Sequence, residues 1–418
     1  MSRRSFIRFL RWLGCLMGGY FLLTAILSLT VDPWRINHTR WAVAALDPAR
    51  EISNTVRVGK AALANRGDWQ VVMLGSSRIE IGLDPTHPVF GTRRTCNLAM
   101  SAAHLLETIP AGNYLLDRNP QIETLILGIE AGDLHNDWDS RKYARFYQSP
   151  FADDNHSIER SINQIIGGRS LVDSIATLQR YFDGTKPIRS QLGQWLQPNH
   201  PANLRQYVES AFEMGFEICE DQWNLRPQIL RQQKADLLEK FIILVRQAGI
   251  EMHIVVPPQH ALKQLHPSLD QPETMCWEND LRALADICIK ANAVVATGPP
   301  VKLWSFMTFN DYTTIPMPEP GAKSQQMPGW FDLGHAQSKL GDRVLSTIFA
   351  GRPGADVTSA PVGVSLLEGD WNVHRANWIA AHREYCLGNP RDVAWWRGLF
   401  SRFPNKLKAA RQMAEAPP

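Results

Sequence analysis

The chain has 418 residues, of which 44% are hydrophobic and 20% are charged, and its formal net charge is +3. This composition is that of a globular protein, so it excludes a wholly disordered chain and a protein with many membrane spans. The charge is too small to indicate a nucleic-acid partner, and no basic run with interleaved aromatic residues follows the N-terminus. The length allows one large domain or two ordinary ones with a substantial core.

The N-terminus predicts a membrane anchor. An uncharged run of about 19 residues, 13–31, is close to the length that crosses a bilayer as a helix. Trp12 and Trp34 flank the run, and four arginines precede it, namely Arg3, Arg4, Arg8 and Arg11. By the positive-inside rule, residues 1–12 stay inside and everything after Val31 lies outside. A cleaved signal peptide is the alternative, but its apolar core is normally shorter and ends in small residues.

The cysteines do not decide the compartment. No C-x-x-C pair and no zinc-like spacing occurs among the six, which are Cys15, Cys96, Cys219, Cys276, Cys288 and Cys386. Five lie outside the anchor, and an odd number cannot all pair with one another. Cys276 and Cys288 could approach each other, but Cys288 sits in an apolar run and has the character of a small core residue. Free structural thiols are the favoured interpretation of these cysteines, and a disulfide is the alternative.

The chain after the anchor predicts an α/β domain. Residues 32–69 are expected to form a stalk and a helix over 48–65. Apolar runs typical of buried strands then alternate with helical stretches. The strands are expected at 70–74, 95–100, 123–130, 252–256 and 293–297, and the helices at 101–118, 227–248, 277–291 and 336–349. This alternation predicts a parallel sheet with helices on both faces, spanning residues 70–350.

Two segments differ from this alternation. Residues from about 131 to 224 are polar, aromatic and partly helical, which indicates an insertion or cap. The tail, 351–418, is rich in tryptophan and arginine. Its tryptophans could bind a sugar chain or a membrane surface, but packing against the domain is the favoured interpretation.

Three side chains with complementary chemistry are expected at one edge of the sheet. Ser77 comes directly after the first strand, and Asp332 and His335 lie on the loop before the last helix of the domain. Ligands of parallel α/β sheets bind at the carboxyl ends of the strands. A serine hydroxyl becomes a nucleophile when a histidine takes its proton, and a carboxylate fixes the tautomer of that histidine. The spacing of three lets Asp332 orient His335.

Four sequence blocks resemble those of the SGNH/GDSL-like hydrolases, in the Gly-Ser-Ser form of membrane-anchored members. The end blocks are VVMLGSSRIEIGLDP (71–85) and WFDLGHAQSKLGDRV (330–344). NLAMSAA (97–103) and LILGIE (125–130) fall where the middle blocks belong. The resemblance covers roughly residues 70–350 and implies a three-layer, flavodoxin-like parallel sheet. It also implies that Ser77 is the nucleophile, with Asp332 and His335 completing a triad.

The sequence departs from the family in its oxyanion hole. The family usually adds a glycine amide and an asparagine side chain to the serine amide. Here the glycine place holds Ala102, and Glu130 stands near where the asparagine is expected. Losing one oxyanion donor can cost about 10²–10³ in rate. Asn97 or Asn136 are the candidates to replace it.

Other polar residues have two interpretations each. Arg78 fits a salt-bridge partner better than a substrate ligand. His260 follows a strand end and could contact substrate. His104 and Glu107 are expected on a solvated helix face.

The triad residues themselves also have a structural alternative. Ser77 would then only complete a strand-end turn. Asp332 would cap the following helix, and His335 would be an ordinary polar residue at the start of that helix.

The resemblance implies an acyl esterase or O-acyltransferase in the inner membrane of a bacterium, acting on an envelope or exported carbohydrate through an acyl-serine. The relaxed middle blocks are similar to those of alginate O-acetyltransferase and teichoic-acid D-alanylation proteins, which implies a membrane-bound O-acyltransferase as a possible partner. No cofactor and no metal are expected. A catalytically inactive component that binds glycan or a membrane partner is the alternative. A metal-dependent hydrolase using Asp332, His335 and His260 has no clustered ligand spacing behind it.

Overall fold

In the computed structural model the described residues form one sheet with the strand order β2-β1-β3-β4-β5-β6. The first five strands are parallel, and the sixth pairs antiparallel with β5. The strands are β1 Val71–Leu74, β2 Thr95–Asn97, β3 Thr124–Gly128, β4 Glu251–Val256, β5 Lys302–Ser305 and β6 Val364–Ser365. The structure describes residues 3–402 apart from 37–40, 52–55, 67, 135–138, 140, 142–145, 153–156, 197–200, 214–228, 266–274, 276, 321, 323–326 and 357–359. The predicted parallel α/β sheet is therefore confirmed.

Helices cover both faces of this sheet. The helices of the described residues are α1 Arg3–Val31, α2 Val56–Ala64, α3 Ser77–Gly82, α4 Leu105–Leu116, α5 Ser157–Ile166, α6 Gly168–Asp183, α7 Leu204–Glu213, α8 Ile229–Gln247, α9 Glu278–Val294, α10 Ser338–Ile348, α11 Trp371–Gly388 and α12 Pro390–Arg402. Val72 and Leu74 of β1 pack in a core with α4, α8 and α9. Val71 and Met73 point the other way, to a core with α3 and α10. The alternation along β1 thus follows the pleat of a strand that is buried on both faces.

One predicted strand is wrong. Residues 293–297 were expected to form a strand, but α9 continues through Val294, and the fifth strand is Lys302–Ser305. Ala291 of α9 is fully buried in the core with α8, so packing extends the helix. The Gly298-Pro299-Pro300 turn then brings residues 302–305 into register with β4.

The region expected to be a stalk packs against the domain. Leu63 and Ala64 of α2 belong to the main core, and the segment before α2 contains a 3₁₀ helix, Ala44–Ala49. Part of the predicted helix over 48–65 is present as α2, which begins at Val56. Residues 52–55 lie outside the described residues. The insertion supplies α5, α6 and α7.

The C-terminal tail is helical and packed. Trp378 of α11 and Trp396 of α12 are buried, and the Trp378 indole donates to the carbonyl of Met307. The expectation that the tail tryptophans pack against the domain is confirmed for these two residues. Residues 403–418 lie outside the described part.

The N-terminal helix α1 is long and apolar enough to cross a membrane, the one such helix found among the described residues. Four cysteines are free thiols, and Cys288 is fully buried, as expected for a core residue. Cys219 and Cys276 lie outside the described residues.

Candidate active site

A sharp turn after β1 places two serines at the carboxyl edge of the sheet. Gly75 has φ +144°, and a Cβ on it would lie 2.8 Å from Ile79 Cγ1 and 3.1 Å from the Gly128 carbonyl oxygen. Only glycine fits this backbone and this space. The Ser76 hydroxyl accepts from the Arg78 amide and caps α3, so Ser77 is the first residue of that helix. It stands beside the ends of β1 and β3, where the strand order of the sheet reverses direction.

Ser77, His335 and Asp332 form a continuous hydrogen-bonded chain. Ser77 Oγ lies 2.8 Å from His335 Nε2. His335 Nδ1 lies 2.7 Å from Asp332 Oδ2. The His335 side chain is 31% exposed, whereas Asp332 is buried. A histidine positioned in this way can take the serine proton while the carboxylate stabilises the imidazolium that forms.

The loop around Asp332 holds its carboxylate in place. Oδ1 accepts from the amides of Gly334, at 2.7 Å, and His335, at 2.8 Å. Burial opposes its ionisation, but the His335 side chain and the Gly334 amide keep the pKa of the Asp332 carboxyl well below its usual range. Helix α10 begins only at Ser338, with Gln337 at its N-cap. Asp332 is therefore not the helix cap that the alternative interpretation required.

Ala102 has the backbone conformation of a glycine. Its φ is +56°, in the left-handed region that L residues with a Cβ seldom adopt. The segment before it is tied to the nucleophile turn, because the Met100 amide donates to the carbonyl of Gly75 at 2.9 Å. Ala102 therefore holds a backbone geometry that glycine adopts without a steric cost. The Ala102 amide remains a candidate oxyanion donor together with the Ser77 amide.

Glu130 stands near the position at which the sequence resemblance leads us to expect a third oxyanion donor. Its carboxylate accepts from the Ser76 hydroxyl, and it forms an ion pair with Arg78 at 2.6 Å. An ionised carboxylate is only an acceptor and cannot stabilise an oxyanion. The preference for Arg78 as a salt-bridge partner is confirmed. The Arg78–Glu130 pair joins the ends of β1 and β3 next to Ser77.

Asn97 does not reach the site. Its side-chain amide donates to the carbonyls of Ile79, at 2.9 Å, and Leu83, at 3.0 Å, and its oxygen accepts from the Ala99 amide. The residue is fully buried, so the expectation that it replaces the oxyanion donor is corrected. It holds the backbone of α3 at Ile79 and at Leu83, the residue that directly follows this helix. Asn136, the other candidate, lies outside the described residues.

His260 is also structural. Its Nε2 donates to the carbonyl of Ile315 at 2.7 Å, and its Nδ1 accepts from the Leu262 amide. Burial lowers its pKa to about 4. Both ring nitrogens are occupied, so His260 is available neither to a substrate nor to a metal shared with Asp332 and His335.

Lys263 is a second cation at the site, and no pattern in the sequence indicates it. A Cβ on Gly334 would lie 3.3 Å from Lys263 Nζ and 3.4 Å from Arg78 Nη2. Lys263 also contributes to lowering the pKa of Asp332. Two positive side chains therefore converge on the loop that holds His335.

A buried charge network lies behind the nucleophile helix. Glu80 of α3 accepts from Arg189 of the insertion at 2.7 Å and from the Ser101 hydroxyl at 2.8 Å. Lys60 of α2 lies 3.3 Å from Glu80 and donates to the carbonyls of Asn97 and Gly193. Burial lowers the pKa of Lys60 to about 8. The network ties α2, α3 and the insertion together.

The helix face expected to be solvated is largely buried. Glu107 is fully buried and pairs with Arg57 at 2.7 Å. His104 Nδ1 lies 2.9 Å from Asp133 Oδ1, and although burial opposes its charge, this carboxylate raises the pKa of His104. The expectation failed because α4 packs between the sheet and charged groups from other segments, which periodicity does not show.

Comparison with known proteins assigns no family. No family model matches the chain, and no curated protein matches it in sequence. The chemistry of the site is therefore argued from its own residues.

Proposed function

We propose that this chain is a membrane-anchored serine acyl-transfer enzyme, an acyl esterase or O-acyltransferase. The observation that carries the proposal is the hydrogen-bonded chain from Ser77 Oγ through His335 to Asp332, with distances of 2.8 and 2.7 Å. The strand order 2-1-3-4-5 among the parallel strands supports the flavodoxin-like sheet of the SGNH hydrolases. The position of the three residues at the carboxyl edge supports a site there.

The reaction would proceed in two steps. His335 Nε2 takes the Ser77 proton as Oγ attacks the acyl carbonyl, and the amides of Ser77 and Ala102 stabilise the oxyanion. Collapse releases the first alcohol, which receives the proton from His335, and leaves an acyl-serine. Water or a carbohydrate hydroxyl then gives its proton to His335 and attacks the acyl group, which regenerates Ser77. Water makes the enzyme an esterase, and a hydroxyl makes it a transferase.

The proposed location follows from α1. Four arginines at its start favour an N-terminus in the cytoplasm and a domain on the outer side of a bacterial inner membrane. An envelope or exported carbohydrate is then the accessible acceptor, and a membrane-bound O-acyltransferase is the proposed partner that would supply acyl groups.

The test is covalent labelling of the full-length protein in detergent with a fluorophosphonate probe. Wild type is expected to be labelled at Ser77, and Ser77→Ala is expected to abolish labelling. Asp332→Asn should slow it, because the analogous change in a serine protease lowers turnover about 10⁴-fold. Ser76→Ala is the matched control: it removes a helix cap but leaves the nucleophile, so labelling should persist.

A non-catalytic role in binding glycan or a membrane partner is the second candidate. Glu130 favours it, since a carboxylate stands where an oxyanion donor is expected. This role predicts an unlabelled wild type that is folded by circular dichroism. It also predicts that Ser77→Ala and His335→Ala cells keep the full carbohydrate phenotype. That pair of results would refute the acyl-transfer proposal.

A further inference from the structure

Helix α6 of the insertion has the reverse of the amphipathic pattern of a soluble protein. Its side chains that are buried inside the protein are all polar, namely Ser170, Asp173, Ser174 and Thr177. The opposite face is apolar and exposed, with Val172 at 56%, Ile175 at 43% and Phe182 at 79%. A helix on a water-soluble domain buries its apolar face.

Helix α5, which precedes it, shows the same reversal. Its buried residue is Arg160, whereas Ile158 is 77% exposed and Ile162 is 49% exposed. The two helices are separated only by Gly167 and pack against each other, so they form a helical hairpin, residues 157–183. Both helices therefore expose large apolar side chains, and soluble proteins rarely leave a large apolar surface uncovered.

The polar face of α6 packs on α1. Both α5 and α6 contact α1, and the buried residues of α1 are Thr24, Ser28 and Val31. Ser28 Oγ donates to Ser170 Oγ at 2.9 Å. Beyond the end of α1, the Trp34 indole donates to Asp173 at 2.9 Å. Small hydroxyl-bearing residues on both sides of a helix contact are typical of packing inside a bilayer.

The contact lies within the apolar span itself. Thr24 is seven residues before Val31, which corresponds to about 10 Å at the rise of an α-helix. A Cβ on Gly168 would also lie 3.8 Å from the Tyr20 hydroxyl. When α1 crosses the bilayer, the hairpin beside it is therefore level with the outer part of the hydrocarbon region. The lipid that surrounds the exposed face of α1 would therefore also contact the exposed face of the hairpin.

We propose that the α5–α6 hairpin is embedded in the outer leaflet beside α1, with its apolar face against lipid acyl chains. The inference rests on the membrane anchoring in the proposed function, but not on its chemistry. The hairpin is also bound to the domain, because Arg180 of α6 donates to the Ala49 carbonyl at 2.8 Å. It thus fixes the height and tilt of the catalytic domain over the membrane, in place of a flexible stalk.

The test measures the depth of single labelled positions in vesicles of phosphatidylcholine and phosphatidylglycerol that contain the full chain and no other protein. The environment-sensitive dye NBD is attached at Ile162→Cys or Val172→Cys, in a background with the six native cysteines replaced. The matched control is Leu387→Cys on α11, an apolar residue that is 83% exposed. The hairpin dyes should emit at shorter wavelength and be quenched by nitroxide-labelled lipid. The control dye should be quenched only by an aqueous nitroxide.

Aqueous quenching at all three positions would overturn the proposal. Dyes that are exposed to water in these vesicles but shielded in native membranes would overturn it as well, since a protein partner would then cover the face. A second measurement needs no substitution: a phosphatidylcholine with a diazirine on its acyl chain should crosslink to peptides of residues 157–183 and not to peptides of α11. Fluorophosphonate labelling in the same samples reports the acyl-transfer proposal separately.

Discussion

At the scale of single residues, Ala102 beside the site adopts a backbone conformation that its own Cβ disfavours. Ala102 has φ +56°, and the left-handed region costs an L residue roughly 1–2 kcal/mol. Such strain persists at sites where the surrounding structure fixes the backbone. Here the Met100 amide donates to the Gly75 carbonyl, and this hydrogen bond fixes the segment that precedes Ala102.

This strain gives a prediction for two substitutions. Ala102→Gly should raise the free energy of unfolding by up to about 1 kcal/mol, because relief of strain exceeds the added entropy of the unfolded chain. Ala102→Val should lower it by more than 1 kcal/mol, since a β-branched side chain fits the left-handed region worse. Urea unfolding measures both, and a loss of stability in Ala102→Gly would contradict the assignment. Fluorophosphonate labelling of Ala102→Gly should be unimpaired.

The three side chains of the hydrogen-bonded chain each carry a local sequence signal. Asp332 and His335 are three apart on one loop, and Ser77 follows a strand directly, so their chemistry could be recognised before their contact was known. Asn97 and His260 were candidates on the same local grounds, but both bond to the backbone instead. A polar side chain after a strand can face the crevice or bond to the backbone behind it, and only the hydrogen bonds of the folded chain distinguish the two.

At the scale of elements, two helices bring the halves of the site together. Ser77 begins α3, and His335 lies just before α10. The two helices touch at Gly82 and Gly341, where a Cβ on Gly341 would lie 1.7 Å from the Gly82 carbonyl oxygen. The two helices could not approach each other so closely if residue 341 carried a side chain. The distance from Ser77 to His335 therefore depends on this contact.

Gly341→Ala should separate the two helices. We expect it to lower the free energy of unfolding by about 1–3 kcal/mol and to slow fluorophosphonate labelling by on the order of 10²-fold, as a misplacement of about 1 Å does. Gly398→Ala in α12 is the control, because a Cβ there meets nothing within 4 Å. That change should raise stability by up to about 1 kcal/mol. Equal behaviour of the two variants would argue against the contact.

The error in the predicted fifth strand shows that sequence periodicity does not locate short elements. Ala293 and Val294 are as compatible with a helix end as with a strand start, and the four residues of β5 carry too few positions for a pattern. Pairing with β4 decides the outcome, because it satisfies the backbone of residues 302–305.

At the scale of the whole molecule, buried histidines couple stability to pH. Burial lowers the pKa of His260 to about 4 and that of His382 to about 4. In the unfolded chain each titrates near 6.5, so between pH 6.5 and 4 the unfolded state binds more protons than the folded one. Stability is therefore complete above the unfolded pKa and falls as the pH is lowered towards the folded pKa.

His260 alone should make the unfolding free energy fall by up to about 3 kcal/mol between pH 7 and pH 4. His260→Gln can still donate to the Ile315 carbonyl but does not titrate. The slope of its unfolding free energy against pH should therefore be smaller than that of wild type, by an amount that corresponds to at most one proton. The contribution of His382 to the slope remains. Urea unfolding at a series of pH values measures the slope, and an unchanged slope would show that His260 is protonated in the folded state.

What the sequence determined by itself is local in origin. The apolar span, the parallel α/β alternation and the three residues of the triad depend on neighbours within a few positions. Tertiary structure alone decided the rest: the charge network of Lys60, Glu80 and Arg189, the Arg78–Glu130 pair beside Ser77, and the reversed hairpin against α1. These features join segments that are distant in the chain. Which polar groups meet in them depends on packing, because a buried charge is stable only beside a partner that the fold brings to it.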